Sequence, residues 1–161
     1  MGKKSVKENK NIYQIAREEA GMTRLQASDA LVFMSDSRIE KIESEKCEPH
    51  PDEILAMAKA YKKPSLCNYY CSNECPIGQK NVPELKEKDL AQITLEMLST
   101  INVLSKQKDR LVEITVDGKV TKDEMADFIK IKTELDKMTV SIESLKLWID
   151  QKAIEGNWTQ E

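Results

Sequence analysis

Apolar and polar positions along the C-terminal half follow a helical rhythm. From Phe128 the apolar residues Ile131, Leu135, Met138, Ile142, Leu145 and Ile149 recur at steps of 3, 4, 3, 4, 3 and 4. That spacing predicts an a/d seam on one long helix. Thr121-Lys-Asp-Glu124 reads as its capping box, with Thr121 capping the Glu124 amide and Glu124 reaching back. Upstream, Leu90, Met97, Ile101, Leu104 and Leu111 mark an earlier helix, and Ile93, Leu98 and Ile114 widen its stripe. This helix is expected from about Pro83, a good first-turn residue, to about Val116. Asp117-Gly118 supplies the stop, with Gly118 suited to the left-handed position beyond the helix end. Two such helices joined by a tight turn predict an antiparallel hairpin about 45 Å long.

The N-terminal half carries shorter patterns. Ile12, Ile15 and Ala16 precede Ala20-Gly21, a helix stop. Thr23 caps a run through Leu25 and Ala27 to Leu31, and Ser35 caps another with Ile39 and Ile42 inward. Pro51-Asp52 opens a fourth helix ending near Tyr61, and a fifth is expected around Ser65 to Tyr70. Short helices separated by tight turns are the sequence form of a helix-turn-helix.

Composition agrees with helices throughout. The 161 residues are 33% charged and 5% aromatic, the profile of long solvated helices and not of a turn-rich β fold. All five prolines fall between Pro49 and Pro83, and from Glu84 onward the only glycines are Gly118 and Gly156. The expected organisation is therefore a domain over 1–64, a Cys-rich connector over 65–83, a helical hairpin over 84–155 and a tail over 156–161. The start of the chain has no apolar signal-peptide core and no myristoylation pattern, and no stretch is apolar enough to span a membrane. A cytoplasmic protein with reduced thiols is expected.

The run from Asn11 to Thr23, then Ser35-Asp-Ser-Arg-Ile39-Glu-Lys-Ile42-Glu43-Ser-Glu-Lys46, then Pro49 to Tyr61, resembles the XRE family, the Cro and phage-repressor type of helix-turn-helix. The resemblance covers about residues 11–70, with Ser35, Ile39, Ile42, Glu43, Pro49 and Ala58-Lys59-Ala60 matching the family pattern. It implies a five-helix Cro/repressor-like domain, which with the hairpin makes an all-α chain. It also implies a recognition helix over about 36–43, with Ser35, Asp36, Ser37 and Lys41 facing the major groove. Arg24, in place of the family's usual Gln, would lie at a phosphate, and Arg38 and Lys46 near the backbone. Ser44-Glu45 stands where the family usually has Asn-Gly.

Charge sharpens this expectation. Residues 12–64 hold 8 Lys and Arg against 10 Asp and Glu, so the domain has little phosphate-neutralising charge of its own. A basic arm, Lys3, Lys4, Lys7 and Lys10 against Glu8, offers compensation. The hairpin stripe is wider than two helices need, and pairing two hairpins into a four-helix bundle predicts a homodimer through 84–155.

Cys67, Cys71 and Cys75 have C-x3-C-x3-C spacing, one face of a continuous helix. Three roles fit them: small core hydrophobes, ligands of zinc completed by Cys47 or His50, and redox-sensitive thiols. With one histidine, no nucleophile motif and no nucleotide-binding glycine fingerprint, an enzyme is not expected. The expected function is a homodimeric regulator of double-stranded DNA, a repressor, with no cofactor. The alternative is an antirepressor-like protein-interaction module that uses the acidic recognition helix.

Overall fold

The computed structural model describes residues 10–156. The described residues form helices joined by short turns, with no strand among them. Two compact units divide the chain: Met1–Glu84 with Asp150–Glu161, and Leu85–Ile149.

The first unit opens with α1 (Ile12–Glu19) and α2 (Arg24–Leu31), followed by α3 (Asp36–Glu43), α4 (Pro51–Ala60) and α5 (Ser65–Tyr69). Each boundary has a local cause. Asn11 Oδ1 accepts from the Gln14 amide at 3.0 Å and starts α1. Gly21, at φ +72°, ends the following turn in the left-handed region that glycine enters without strain. Thr23 and Gln26 form a full capping box on α2, with both bonds present at 3.2 and 2.9 Å. Ser35 Oγ accepts from the Arg38 amide at 3.2 Å and starts α3.

The turn between α2 and α3 is unusual. Val32 adopts φ 59°, ψ −49°, and the Phe33 amide donates to the Leu31 carbonyl at 2.6 Å. This is a γ-turn centred on a β-branched residue, a strained geometry. It leaves Val32 89% and Phe33 60% exposed beside α3.

One core unites these helices. Tyr13, Ala16, Ala27, Leu31, Met34, Ile39, Ile42, Ile54, Met57, Ala58, Tyr61 and Leu66 are all buried in it. Each fully buried Ile or Leu contributes about 1.5–3 kcal/mol relative to exposure. The two isoleucines of α3 anchor that helix and fix which of its faces is left outside.

Past α5 the backbone winds into a π-turn over Tyr70–Glu74, closed by the Cys75 amide on the Tyr70 carbonyl at 2.9 Å. Then α6 (Gly78–Asn81) folds back against it. A Cβ on Gly78 would lie 2.0 Å from the Cys71 carbonyl oxygen, so only glycine permits this approach.

The second unit is the hairpin, made by α7 (Leu90–Thr115) and most of α8 (Met125–Glu155). The first helix begins later than Pro83, the expected start. Asp89 Oδ1 accepts from the Gln92 amide at 2.8 Å and sets the N-terminus there, while 84–89 form no regular element. Gly118 takes the expected left-handed conformation, at φ +69°. The Thr121 box forms only in part. Glu124 Oε2 accepts from the Thr121 amide and hydroxyl at 2.9 and 2.7 Å, and regular helix starts at Met125.

The seam itself is corrected. Ile131 is buried, and Phe128, Met138 and Leu145 are half-buried, but Leu135, Ile142 and Ile149 are exposed. Ser141 and Ser144 are buried in their stead. A straight helix turns through 3.6 residues, so a 3.5-residue stripe drifts away from a single partner helix. One flank of the stripe is therefore wet.

Candidate nucleic-acid interface

The face of α3 away from the core presents Asp36, Ser37, Glu40 and Lys41, all exposed, while Ile39, Ile42 and Glu43 are buried. Lys46 follows, also exposed. Ser35 is occupied as the cap, and Asp36 Oδ1 accepts from the Ser37 amide at 2.8 Å. Among the described residues Lys41 and Lys46 make no ion pair, so both cations are available to an anionic partner.

The two arginines singled out from the sequence are engaged within the fold. Arg24 Nε donates to Glu43 Oε2 at 2.8 Å, and its side chain is only partly exposed. Arg17, on α1, also binds Glu43, through Nε on Oε1 at 2.5 Å and Nη2 on Oε2 at 3.0 Å. Its Nη1 donates to the Met22 carbonyl at 2.6 Å. Burial disfavours the Arg17 charge, but the bonds and charge of Glu43 outweigh it, and the guanidinium pKa stands above its ordinary value. This cluster ties α1 and the start of α2 to the C-terminal end of α3, and nothing in the residue spacing announced it.

Arg38 serves the loop after α3. Its Nε and Nη2 donate to the two Glu53 carboxylate oxygens, each at 2.7 Å. Nη1 reaches Cys47 Sγ at 2.9 Å and Nη2 the Glu48 carbonyl at 3.0 Å. The Glu53 bond raises the Arg38 pKa, and the same bond holds the Glu53 carboxyl below the usual range. Glu53 Oε2 also accepts from the His50 amide at 2.7 Å. Arg38 thus clamps the α3–α4 loop to the N-terminus of α4.

Surface exposure leaves three acids, Asp36, Glu40 and Glu45, against Lys41 and Lys46 over residues 35–46, because Arg38 and Glu43 are internally paired. Two exposed residues were not singled out by spacing alone. Gln26 is an exposed polar residue at the start of α2, and Phe33 stands out from the turn. Of the basic arm, Lys10 pairs with Glu18 at 2.6 Å, while Lys3, Lys4 and Lys7 lie outside the described residues.

The cysteines are not gathered into a site. The π-turn replaces the continuous α-helix that C-x3-C-x3-C spacing presumes, and Cys75 leaves it in an extended conformation. Among the described residues no group of three His, Cys, Asp or Glu side chains is placed to hold a metal ion. Cys67, Cys71 and Cys75, with Cys47 or His50 as a fourth donor, therefore form no ligand set. Cys47 and Cys67 pack against the core instead, and burial pushes the Cys67 thiol pKa up.

Among the described residues no helix is long and apolar enough to cross a membrane. No curated protein and no solved structure matches the chain. One family model does, Helix-turn-helix, over residues 14–65. It spans α1 to the start of α5, including the capped pair α2–α3 and the buried Arg17–Glu43 cluster beneath it. Residues 14–65 are thus a helix-turn-helix domain of the XRE type, the domain of a family of DNA-binding regulators.

Proposed function

We propose that this chain is a transcriptional repressor that binds an operator as a homodimer, with α3 in the major groove. The observation that carries the reading is the outer face of α3. Its inner face is locked by Ile39, Ile42 and Glu43, which leaves Ser37 and Lys41 on a rigid exposed helix. Lys46 and the remaining surface of Arg24 contribute phosphate contacts at the edges. The hairpin supports pairing. Leu95, Leu98, Ile101, Leu135 and Ile142 are exposed on it. An apolar-lined groove of about 520 Å³ bounded by Leu95, Thr100 and Val140 runs between α7 and α8. A second hairpin covers this surface in a four-helix bundle.

A two-part experiment tests the reading. Fluorescence anisotropy with DNA from the chain's own promoter, at low salt and with nonspecific competitor, should show sequence preference. Lys41→Ala should weaken binding by roughly tenfold, the scale of one lost charged contact. Sedimentation should give a dimer that Leu98→Lys with Ile142→Lys converts to monomer. Binding that competitor removes entirely would defeat the DNA reading.

A second reading is favoured by the acidic surface of α3 and by Val32 and Phe33 beside it. It makes this face a docking surface for another protein, as in an antirepressor. Under it, Phe33→Ala abolishes capture of that partner while Lys41→Ala leaves it intact.

A further inference from the structure

Between α2 and α3 the chain leaves the core for two residues. Leu31 and Met34 are buried, whereas Val32 and Phe33 between them stand in solvent. Ser28 holds both ends of this corner. Its carbonyl accepts from the Val32 amide at 3.1 Å, and its hydroxyl donates to the Met34 carbonyl at 2.8 Å. With the Phe33 amide on the Leu31 carbonyl, three hydrogen bonds fix the corner. Its two exposed side chains add little to the core, and the positive φ of Val32 opposes the fold. Strain retained at a corner that contributes so little inside marks it for use outside the fold.

Its position limits that use. Phe33 lies two residues before Ser35, the cap of α3, so its Cα is at most about 7 Å from the Ser35 Cα. The exposed surface that follows carries Asp36, Glu40 and Glu45 against Lys41 and Lys46. Attraction to phosphates is weak there, and contacts without charge carry more of the binding. The apolar group on a base edge in the major groove is the thymine 5-methyl, and apolar side chains such as phenylalanine read it. A protein partner matches this corner less well. A stable interface buries about 800 Å² on each side, whereas one aromatic side chain covers about 150–250 Å². Asp29, Ser35 and Asp36, exposed on either side of the corner in the chain, interrupt the apolar surface.

Resting on the DNA-binding reading, we propose that Phe33 is a specificity-determining residue. Its ring packs on the 5-methyl group of a thymine next to the bases met by the first turn of α3, and Val32 covers the flank of that contact. A base without the methyl leaves the ring against solvent, so each operator half-site carries thymine at this position. The hydrogen-bonded corner holds the ring in place before DNA arrives, which spares the ordering cost of a mobile loop. No charge takes part, so the preference for thymine is independent of ionic strength, unlike the phosphate contacts of Lys46.

The test starts from duplexes that the full chain enriches from a random-sequence pool. In the enriched duplex each thymine is replaced singly by deoxyuridine, which removes only the methyl group, and affinity is read by fluorescence anisotropy. Replacing one thymine of each half-site should weaken wild-type binding about fourfold, the scale of one buried methyl. The ratio should be the same at about 50 and about 200 mM salt. Phe33→Ser should bind the thymine and uracil duplexes equally while keeping its response to every other substitution, and Phe33→Leu should keep part of the preference. Phe33 is mostly exposed, so circular dichroism should show both variants folded. A pool in which no sequence is enriched defeats the DNA reading and this inference together. An enriched duplex whose thymines can all be replaced without loss overturns the inference and leaves the DNA reading standing. So does a folded Phe33→Ser that still distinguishes thymine from uracil, or one that loses capture of a protein partner but binds every duplex as the wild type does.

Discussion

Arg17 and Glu43, separated by 26 residues, form a two-bonded ion pair within the first unit, and both side chains are almost fully buried. Because Arg24 shares the same carboxylate, one glutamate fixes α1, α2 and α3 against one another. Removing only one member of a buried pair strands a charge. Glu43→Ala should therefore lower stability by about 3–5 kcal/mol, read from urea unfolding by circular dichroism. Replacing both, as Arg17→Met with Glu43→Leu, should recover a large part of that loss. Equal losses in the single and double variants would show that the pair is not the anchor.

Arg38 and Glu53 give a pH signature. The folded Glu53 carboxyl is held below its ordinary pKa, with the Arg38 hydrogen bond as the main cause. Protonation therefore favours the unfolded chain. The pair's stabilisation is present above about pH 4.5 and is lost as pH falls through the lower folded value. Glu53→Gln should reduce Tm clearly at neutral pH and progressively less as pH falls through the folded Glu53 value, where the wild-type carboxylate takes up its proton. Melting curves of both proteins across that range check this, and a pH-independent gap would contradict it.

Val32 holds a positive φ that a β-branched residue adopts only under strain. Val32→Gly should stabilise the fold by about 1 kcal/mol, the local strain relieved being larger than the added unfolded-state entropy. Thermal unfolding of the full chain measures it. A lower Tm would mean that the exposed valine contributes a contact in the intact protein.

Gly78 sets the packing of the connector. Alanine there would overlap the Cys71 carbonyl, so the backbone of the π-turn must shift. Gly78→Ala should cost about 1–3 kcal/mol, the range for an overpacked site. Hydrogen exchange should quicken at the Cys75 and Gln79 amides, whose bonds to Tyr70 and Cys75 hold this segment together. Unchanged exchange would remove the close approach as the reason for this glycine.

Much of the chain was legible because its signals are local. Thr23, Ser35 and Asn11 are polar caps placed before apolar runs, and Gly21 and Gly118 sit where φ becomes positive. The start of α7 was misplaced because Pro83 and Asp89 both qualify as openings, and local spacing does not rank them. The a/d seam was overread for a related reason. A heptad pattern states which residues are apolar, not which neighbour covers them, and one partner helix covers only part of the stripe.

Arg24 and Arg38 show where local reading ends. The sequence by itself determined the order of helices, most of their caps and which face of α3 lies outside, since these depend on residues within a turn or two of each other. Only the tertiary structure decided which charges remain at that face. Glu43 meets Arg17 and Arg24, and Glu53 meets Arg38, across separations of 15 to 26 residues. Buried carboxylates demand a cation wherever the fold can supply one, and that demand engages both arginines within the fold.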